Sequence, residues 1–266
     1  MNALFKKVLQ TFIITFSLPL FILSVEAKAE TDSVFPFIPV IKEFHSMIDT
    51  NTSVSNKVES FYAAKDFYFQ IQSKTEQLKI SKEVREHFET STEKAEEKYD
   101  RGEEGVSQSD ITKLKLGLAG TLNDIYELTA EIEMAKLSLG HLLGIEFVED
   151  CPLEDDKLIV LEYDPEIYTN NAVAKFSDQS EFKKQLITIK KTENVLKLAQ
   201  STRKITRTLL VTEVANYDFG IGNPSDLFEA LIIYTRVLRG YYQAAYEFNQ
   251  SVIKMELIQS EVDSVQ

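Results

Sequence analysis

Histidine, cysteine and clustered carboxylates could serve catalysis or metal binding, but in this chain they form no recognised arrangement. His45, His87 and His141 are far apart, and none has a partner at a metal-ligand spacing. Cys151 is the only cysteine, so it is either a buried thiol or a link to a second chain. Five acidic residues cluster between 149 and 156: Glu149, Asp150, Glu154, Asp155 and Asp156. The cluster lacks the glycine and the spacing of an EF-hand loop, so it predicts a solvated loop. We therefore expect no catalytic residue, metal site or cofactor, and a protein that is not an enzyme.

Two short stretches instead carry the residues that end one helix and begin the next. YDRG at 99–102 precedes a Ser-Asp pair at 109–110, and YDFG at 217–220 precedes Ser-Asp-Leu at 225–227. Glycine allows the positive φ at which helices stop, and Ser or Asp caps the helix that follows. We call 99–110 the first tip and 217–227 the second tip. Their candidate site residues are Tyr99, Gly102, Ser109, Asp110, Tyr217, Gly220, Gly222, Ser225, Asp226 and Leu227.

The helix after the second tip has a continuous apolar repeat with alternating steps of four and three. Its seam is Leu227, Leu231, Tyr234, Leu238, Tyr241, Ala245, Phe248, Val252 and Met255. This 3.5-residue period is typical of a helix wound against another helix. Similar patterns predict helices over 58–101, 110–143 and 180–216. The third helix has the weakest pattern, with Phe182, Leu186, Ile189, Leu196 and Leu209 inward.

The matching tips predict an internal repeat. Aligning Asp110 with Asp226 also places Leu122 on Leu238 and Tyr126 on Tyr242. The predicted fold class is all-α: two long antiparallel coiled-coil hairpins made of four long helices, with a short irregular middle segment. The predicted boundaries are a signal peptide at 1–29, a lead-in at 30–56, the first hairpin at 57–144, the connecting segment at 145–177 and the second hairpin at 178–262.

Three segments carry more local expectations. The lead-in has two prolines near Phe35 and is either an extended arm lying across a groove or a flexible terminus. Residues 157–163 of the connecting segment are compatible with one short strand, and 165–175 with a short helix. On the fourth helix, Tyr242, Ala244 and Ile253 offer a partial second apolar stripe for a neighbouring subunit.

The N-terminus and the net charge indicate an exported protein. Lys6 and Lys7 precede an apolar run that ends at Ala27-Lys28-Ala29, the pattern of a cleaved signal peptide; the alternative is a retained membrane anchor. No later apolar run is long enough to span a bilayer as a helix. The net charge of −13 repels nucleic acid and anionic lipid and favours a basic partner surface.

The two tips and their helices resemble the TolC family of outer-membrane efflux and secretion proteins. The resemblance rests on YDRGEEGVSQSDI, on HLLGI at 141–145 and on YDFGIGNPSDLF, and it covers about three quarters of the chain after residue 29. It implies a homotrimer with a helical tunnel that crosses the periplasm of a Gram-negative-type bacterium, associated with the outer membrane. It also implies that both tips meet a periplasmic adaptor protein.

The chain departs from that family at the transmembrane barrel. Each barrel strand needs ~9–11 residues of alternating character. Neither of the two places for strand pairs, before 58 and within 197–210, offers such residues, so we expect the helical part of the family without its barrel strands. The predicted function is a periplasmic, TolC-like component of an efflux or secretion assembly. The alternative is a structural or regulatory coiled-coil protein that conducts nothing.

Overall fold

Four long helices make up most of the part of the chain that the structure, a computed structural model, describes. That part comprises residues 34–148, 150–155, 157–165 and 179–264. The long helices are α2 (Lys57–Asp100), α3 (Gln108–Leu143), α4 (Gln179–Asp218) and α5 (Pro224–Ser264). The predicted signal peptide, Glu149, Asp156 and the predicted short helix beyond residue 165 lie outside these residues. The predicted all-α class with two long helical hairpins is confirmed.

The helices form a layer in the order α3–α2–α5–α4. The main contacts join α2 to α3, α5 to α4 and α2 to α5, and α3 touches α5 only lightly. All nine predicted seam positions of α5 are buried, which confirms the 3.5-residue repeat. In the central part of the layer, α2 and α5 each have helices on two sides. The edge helices, α3 and α4, each keep one face toward solvent.

The lead-in from residue 34 onward packs on the end of the helices opposite the tips, which we call the base. Its strand β1 (Val34–Phe35) pairs in parallel with β2 (Glu146–Phe147), just after α3. The short helix α1 (Phe44–Thr50) follows and buries Phe44 and Ile48 against α2 and α3. Asn51 then donates to the carbonyls of His141 and Leu142 at 2.9 and 3.0 Å, which satisfies the last turn of α3. From residue 34 the lead-in therefore packs on the base, but only its strand resembles the predicted extended arm, since Phe44–Thr50 is helical.

The prediction of a strand at 157–163 is wrong. The described residues of this segment are extended but pair with no strand. Their backbone groups bond instead to two buried amide side chains. Gln72 of α2 accepts from the N–H of Ile159 at 2.9 Å and donates to the carbonyl of Lys157, while Asn249 of α5 accepts from Leu161 at 2.8 Å and donates to Ile159 at 2.7 Å. Buried backbone groups need partners, and here side chains supply them.

Two other expectations fail because they misjudge which face a helix buries. On α4 the predicted inward residue Leu209 is exposed, whereas its neighbour Leu210 is buried. On α5, Ala244 and Ile253 are buried and Tyr242 is half-buried within the chain, so they are not a stripe for a neighbour. Among the described residues, no helix combines the length and apolar character needed to cross a bilayer.

We predict that Gln72→Leu lowers the free energy of unfolding by about 1–3 kcal/mol, because two partly buried backbone groups of the connecting segment lose the side chain that they bond. Urea unfolding followed by circular dichroism measures the change. Gln200→Leu, at an exposed position of α4, serves as the matched control and should change stability by less than about 0.5 kcal/mol. Equal stabilities for the two variants would contradict this role of Gln72.

Candidate partner-docking site at the hairpin tips

Both tips close with the same backbone hydrogen bonds. In the first tip the N–H of Gly102 donates to Tyr99 at 2.9 Å and that of Glu103 to Lys98 at 3.0 Å. In the second tip Gly220 donates to Tyr217 at 3.1 Å and Ile221 to Asn216 at 3.0 Å. This is the Schellman pattern, in which a left-handed residue follows the last helical turn. Gly102 and Gly220 fill that position, with φ of +69° and +76°.

Gly222 has a different role from the one predicted. Its φ is not positive; what requires glycine is close approach to the end of α4. An added Cβ would lie 3.0 Å from both the Cβ of Asn216 and the N of Tyr217. The N–H of Gly222 also donates to the carbonyl of Asn216 at 2.9 Å. The second tip is therefore tighter than the first.

Asp110 and Asp226 are equivalent, but neither is the N-cap. The caps are Ser107 and Asn223, whose side-chain oxygens accept from the N–H groups of Asp110 and Asp226 at 3.2 and 2.9 Å. Each aspartate also accepts a hydrogen bond from its cap residue. The carboxylate of Asp110 accepts from the backbone N–H of Ser107 at 3.0 Å, and that of Asp226 accepts from the side-chain amide of Asn223 at 2.6 Å. Ser107 and Asp110 form a full capping box. The helices thus begin earlier than predicted, and Ser109 and Ser225 lie in their first turns.

The two tips lie side by side and are joined by hydrogen bonds. Ser225 donates to the carboxylate of Asp110 at 2.9 Å and accepts from Lys113 at 2.9 Å. Nearby, Lys94 pairs with Asp218 at 2.6 Å and connects the tip ends of α2 and α4. The hydrogen bond from Ser107, reinforced by Ser225 and the charge of Lys113, lowers the pKa of Asp110 below its ordinary value.

Tyr99 and Tyr217 align in sequence but not in environment. Tyr217 is 2% exposed, and its hydroxyl donates to the carbonyl of Ser91 at 3.1 Å. The ammonium nitrogen of Lys98 lies over its ring, 5.1 Å from the ring centre. Its burial raises its pKa to about 12. Tyr99 is 45% exposed. Tyr217 and Leu227, also buried, are therefore core residues of the second tip, and a partner could contact Tyr99 but neither of these.

Sequence reasoning missed the most exposed apolar residues of the second tip. Phe219 is 81% exposed and Ile221 is 78% exposed. They flank Gly220, so the Schellman turn places both side chains outside the core. The sequence did contain a signal for them. The turn requires glycine at 220 but no apolar residue at 219 or 221, so apolar side chains there indicate a contact surface. These two, with Tyr99, form the apolar part of the surface of the tips.

The described residues of the tips form turns and helix caps. One hydrogen-bond network joins the two tips, and the pKa of Asp110 within it is lowered. Among the described residues, no three His, Cys, Asp or Glu side chains are placed to hold a metal ion. The arrangement can fix the spacing of two hairpins and present an apolar end to a partner.

Comparison with known proteins identifies the fold. No protein-family model and no curated protein matches the chain. Among solved structures it is similar to the outer-membrane channel OprN, with a TM-score of 0.57 and 12% identity over 82% of this chain and 68% of OprN. It is equally similar to CusC, a protein studied for its folding and transmembrane channel formation, over 81% of this chain and 70% of CusC. The chain therefore has a TolC-like fold.

We predict that Asp110→Asn lowers the free energy of unfolding near neutral pH by about 1 kcal/mol, because the capping box loses its charged acceptor. The pKa of Asp110 is lowered on folding, so its stabilisation is present above the unfolded value of 3.8 and is lost as the pH falls through the folded value. Urea unfolding at pH 7 and pH 3 should therefore show a difference from the parent at pH 7 that shrinks at pH 3. Asp100→Asn, at the end of α2, is the control and should not destabilise, since a carboxylate is unfavourable there.

Proposed function

We propose that this chain is a periplasmic helical component of a TolC-like efflux or secretion assembly. In this proposal, copies associate through their edge helices and an adaptor protein docks at the tips. The observation that carries the proposal is a pair of exposed apolar stripes on the two edge helices. The TolC-like fold supports it.

The α3 stripe runs along the whole outer face of α3. Its steps of three and four residues keep it on one side of the helix. Its exposed members are Leu116, Ala119, Asn123, Tyr126, Ala130, Met134 and Leu137. Single exposed apolar residues are ordinary, but a continuous stripe with coiled-coil spacing indicates a helical partner.

The α4 stripe has the same character on the opposite edge of the layer. Its exposed apolar members are Ile187, Val195, Leu198, Ile205 and Leu209. Since α3 and α4 run in opposite directions, their distances from the tips can be compared. Leu116 and Leu209 lie about nine residues from the tip ends of their helices, and Leu137 and Ile187 about thirty. If two copies lie side by side with their tips at the same height, the α3 stripe of one copy therefore lies alongside the α4 stripe of the other.

Charge favours pairing unlike edges. Lys183, Lys184, Lys190 and Lys191 lie within or beside the α4 stripe, and none makes an ion pair within the part of the chain that the structure describes. Glu127 and Glu133 flank the α3 stripe, each exposed; Glu133 also pairs with Lys136 of its own helix at 2.8 Å. Pairing α3 of one copy with α4 of the next brings opposite charges together, whereas α4 against α4 would bring like charges together. Such a head-to-tail interface forms a ring when the rotation between copies closes, and a ring of three copies is what the family resemblance implies.

The tips supply the second contact of the proposal. Phe219 and Ile221 extend beyond the helical layer at its free end, where a partner can reach them without displacing any helix. The inter-tip bond between Ser225 and Asp110 holds both hairpins in one arrangement, so that a partner meets a fixed surface. An adaptor hairpin with an apolar end fits this surface.

We predict that the chain without residues 1–29 self-associates and that Leu198→Glu with Ile205→Glu abolishes this, because charges enter the centre of the α4 stripe. Sedimentation velocity measures the oligomeric state. Tyr126→Glu with Leu137→Glu, on the other edge, should have the same effect. Val58→Glu, an exposed apolar position of α2 outside both stripes, is the control and should leave association intact.

The result also separates the proposal from its alternative. A parent chain that stays monomeric up to about 100 μM, far above a Kd typical of stable assemblies, would overturn the edge pairing and favour a non-conducting structural or regulatory protein.

For the tips we predict that Phe219→Ser with Ile221→Ser weakens binding of the periplasmic adaptor by about tenfold or more, since exposed aromatic and aliphatic anchors dominate such interfaces. Biolayer interferometry with the immobilised adaptor measures the affinity. Phe37→Ser, at an exposed apolar residue of the base, is the control. Undiminished adaptor binding by the tip variant, with the fold intact by circular dichroism, would exclude the second tip as the docking surface.

A further inference from the structure

A groove between α2 and α4 combines a hydrophobic floor with cations that form no ion pair among the described residues. We call it the α2/α4 groove: Ile80, Tyr234 and Leu238 form its floor, and Arg203, Lys204 and Arg207 stand on its α4 side. The floor residues are buried by contact with α2 and α5. The cavity has a volume of about 600 Å³, within the range of small-molecule sites. It is separate from the tips, and its geometry lies within one chain.

The three cations of the groove are uncompensated. None of them forms an ion pair within the part of the chain that the structure describes. Arg203 stacks on the ring of Tyr241, with its guanidinium carbon 4.3 Å from the ring centre, so its position is fixed. On a chain with a net charge of −13, such a cluster is an exception to the general surface.

Glu83 is the one carboxylate among the residues that line this cavity, and it accepts a hydrogen bond from the floor. Glu83 accepts from the hydroxyl of Tyr234, with O–O distances of 3.1 and 3.2 Å to its two oxygens. Burial raises the pKa of Tyr234 to about 12, so the phenol stays protonated and keeps donating. Glu83 therefore lies on the floor as an acceptor of this bond and pairs with neither arginine.

The groove continues toward the tip end of the helices. A second cavity of about 370 Å³ shares Glu83, Arg207 and Tyr234 with the first, and Leu210, Val211 and Val214 form its apolar wall. Its far end reaches the second tip, where it is lined by Phe219 and by Asp218, the partner of Lys94. A ligand with its anionic group at Arg203 and Arg207 would have apolar surface available for the rest of its body.

We propose that the α2/α4 groove binds a small amphipathic anion, a carboxylate or sulfonate carried on an aromatic or alicyclic body. The planar guanidinium groups suit the two oxygens of such an anion, and the apolar floor suits its body. The inference goes beyond the assembly proposed above and does not require self-association.

Fluorescence titration with 8-anilino-1-naphthalenesulfonate tests the proposal on the chain without residues 1–29. Its neutral parent, N-phenyl-1-naphthylamine, has the same aromatic body without the sulfonate and serves as the matched probe. We expect Arg203→Gln with Arg207→Gln to weaken sulfonate binding about tenfold or more, with less than a threefold effect on the neutral probe. Val211→Trp, which fills the groove and leaves its charges in place, should weaken both probes.

Lys42→Gln with Lys82→Gln removes the same charge at two exposed positions outside the groove and outside both stripes, and should leave both affinities unchanged. If circular dichroism shows that loss of the Arg203 stack disturbs the fold, Lys204→Gln with Arg207→Gln at two exposed positions replaces the first variant. Equal weakening by the groove and control variants would reduce the effect to general surface charge and overturn the proposal. Unchanged sulfonate binding in the groove variants would overturn it as well.

Discussion

The contact between α2 and α5 is the constraint on which the arrangement of the other helices depends. It is apolar along its length, but polar bonds occur at several levels. Ser73 donates to the carbonyl of Tyr242 at 2.9 Å, Tyr234 donates to Glu83, and Lys65 pairs with Glu256 near the base. An apolar seam alone tolerates sliding by one heptad, whereas a buried donor is satisfied at one register only. These bonds therefore fix the height of one hairpin against the other and bring both tips to the same level.

Much of this layer could be predicted from the sequence, since each helix carries its own 3.5-residue repeat. The repeat identifies which face of a helix is buried, and every seam position of α5 is indeed buried. It does not reveal how many helices cover that face. Tyr126 and Tyr242 align between the hairpins, yet Tyr126 is exposed on an edge helix and Tyr242 is half-buried on a central one. That difference arises from packing between hairpins, which no single helix encodes.

In the tips, too, some features are set by the local sequence and others by contacts between the hairpins. The positive φ of Gly102 and Gly220 was predictable because it is a property of one turn. The role of Asp110 was misjudged by one helical turn, since aspartate is favourable both as N-cap and in the first turn. The bond from Ser225 to Asp110 joins residues of different hairpins and could be found only in three dimensions. The connecting segment behaves likewise: its sequence suits a strand, but Gln72 and Asn249 supply its hydrogen bonds.

Helix α4 has the weakest apolar pattern in the sequence and the largest number of distinct surfaces in the structure. One face packs on α5 through Phe182, Ile189 and Leu196. A second face carries the α4 stripe, and a third carries the cations of the α2/α4 groove. A helix with one buried face concentrates its apolar residues there, whereas a helix with several contacts spreads them around its axis. The weak periodicity of α4 is therefore what several contact surfaces on one helix would produce, and it is consistent with the contacts proposed above for this helix.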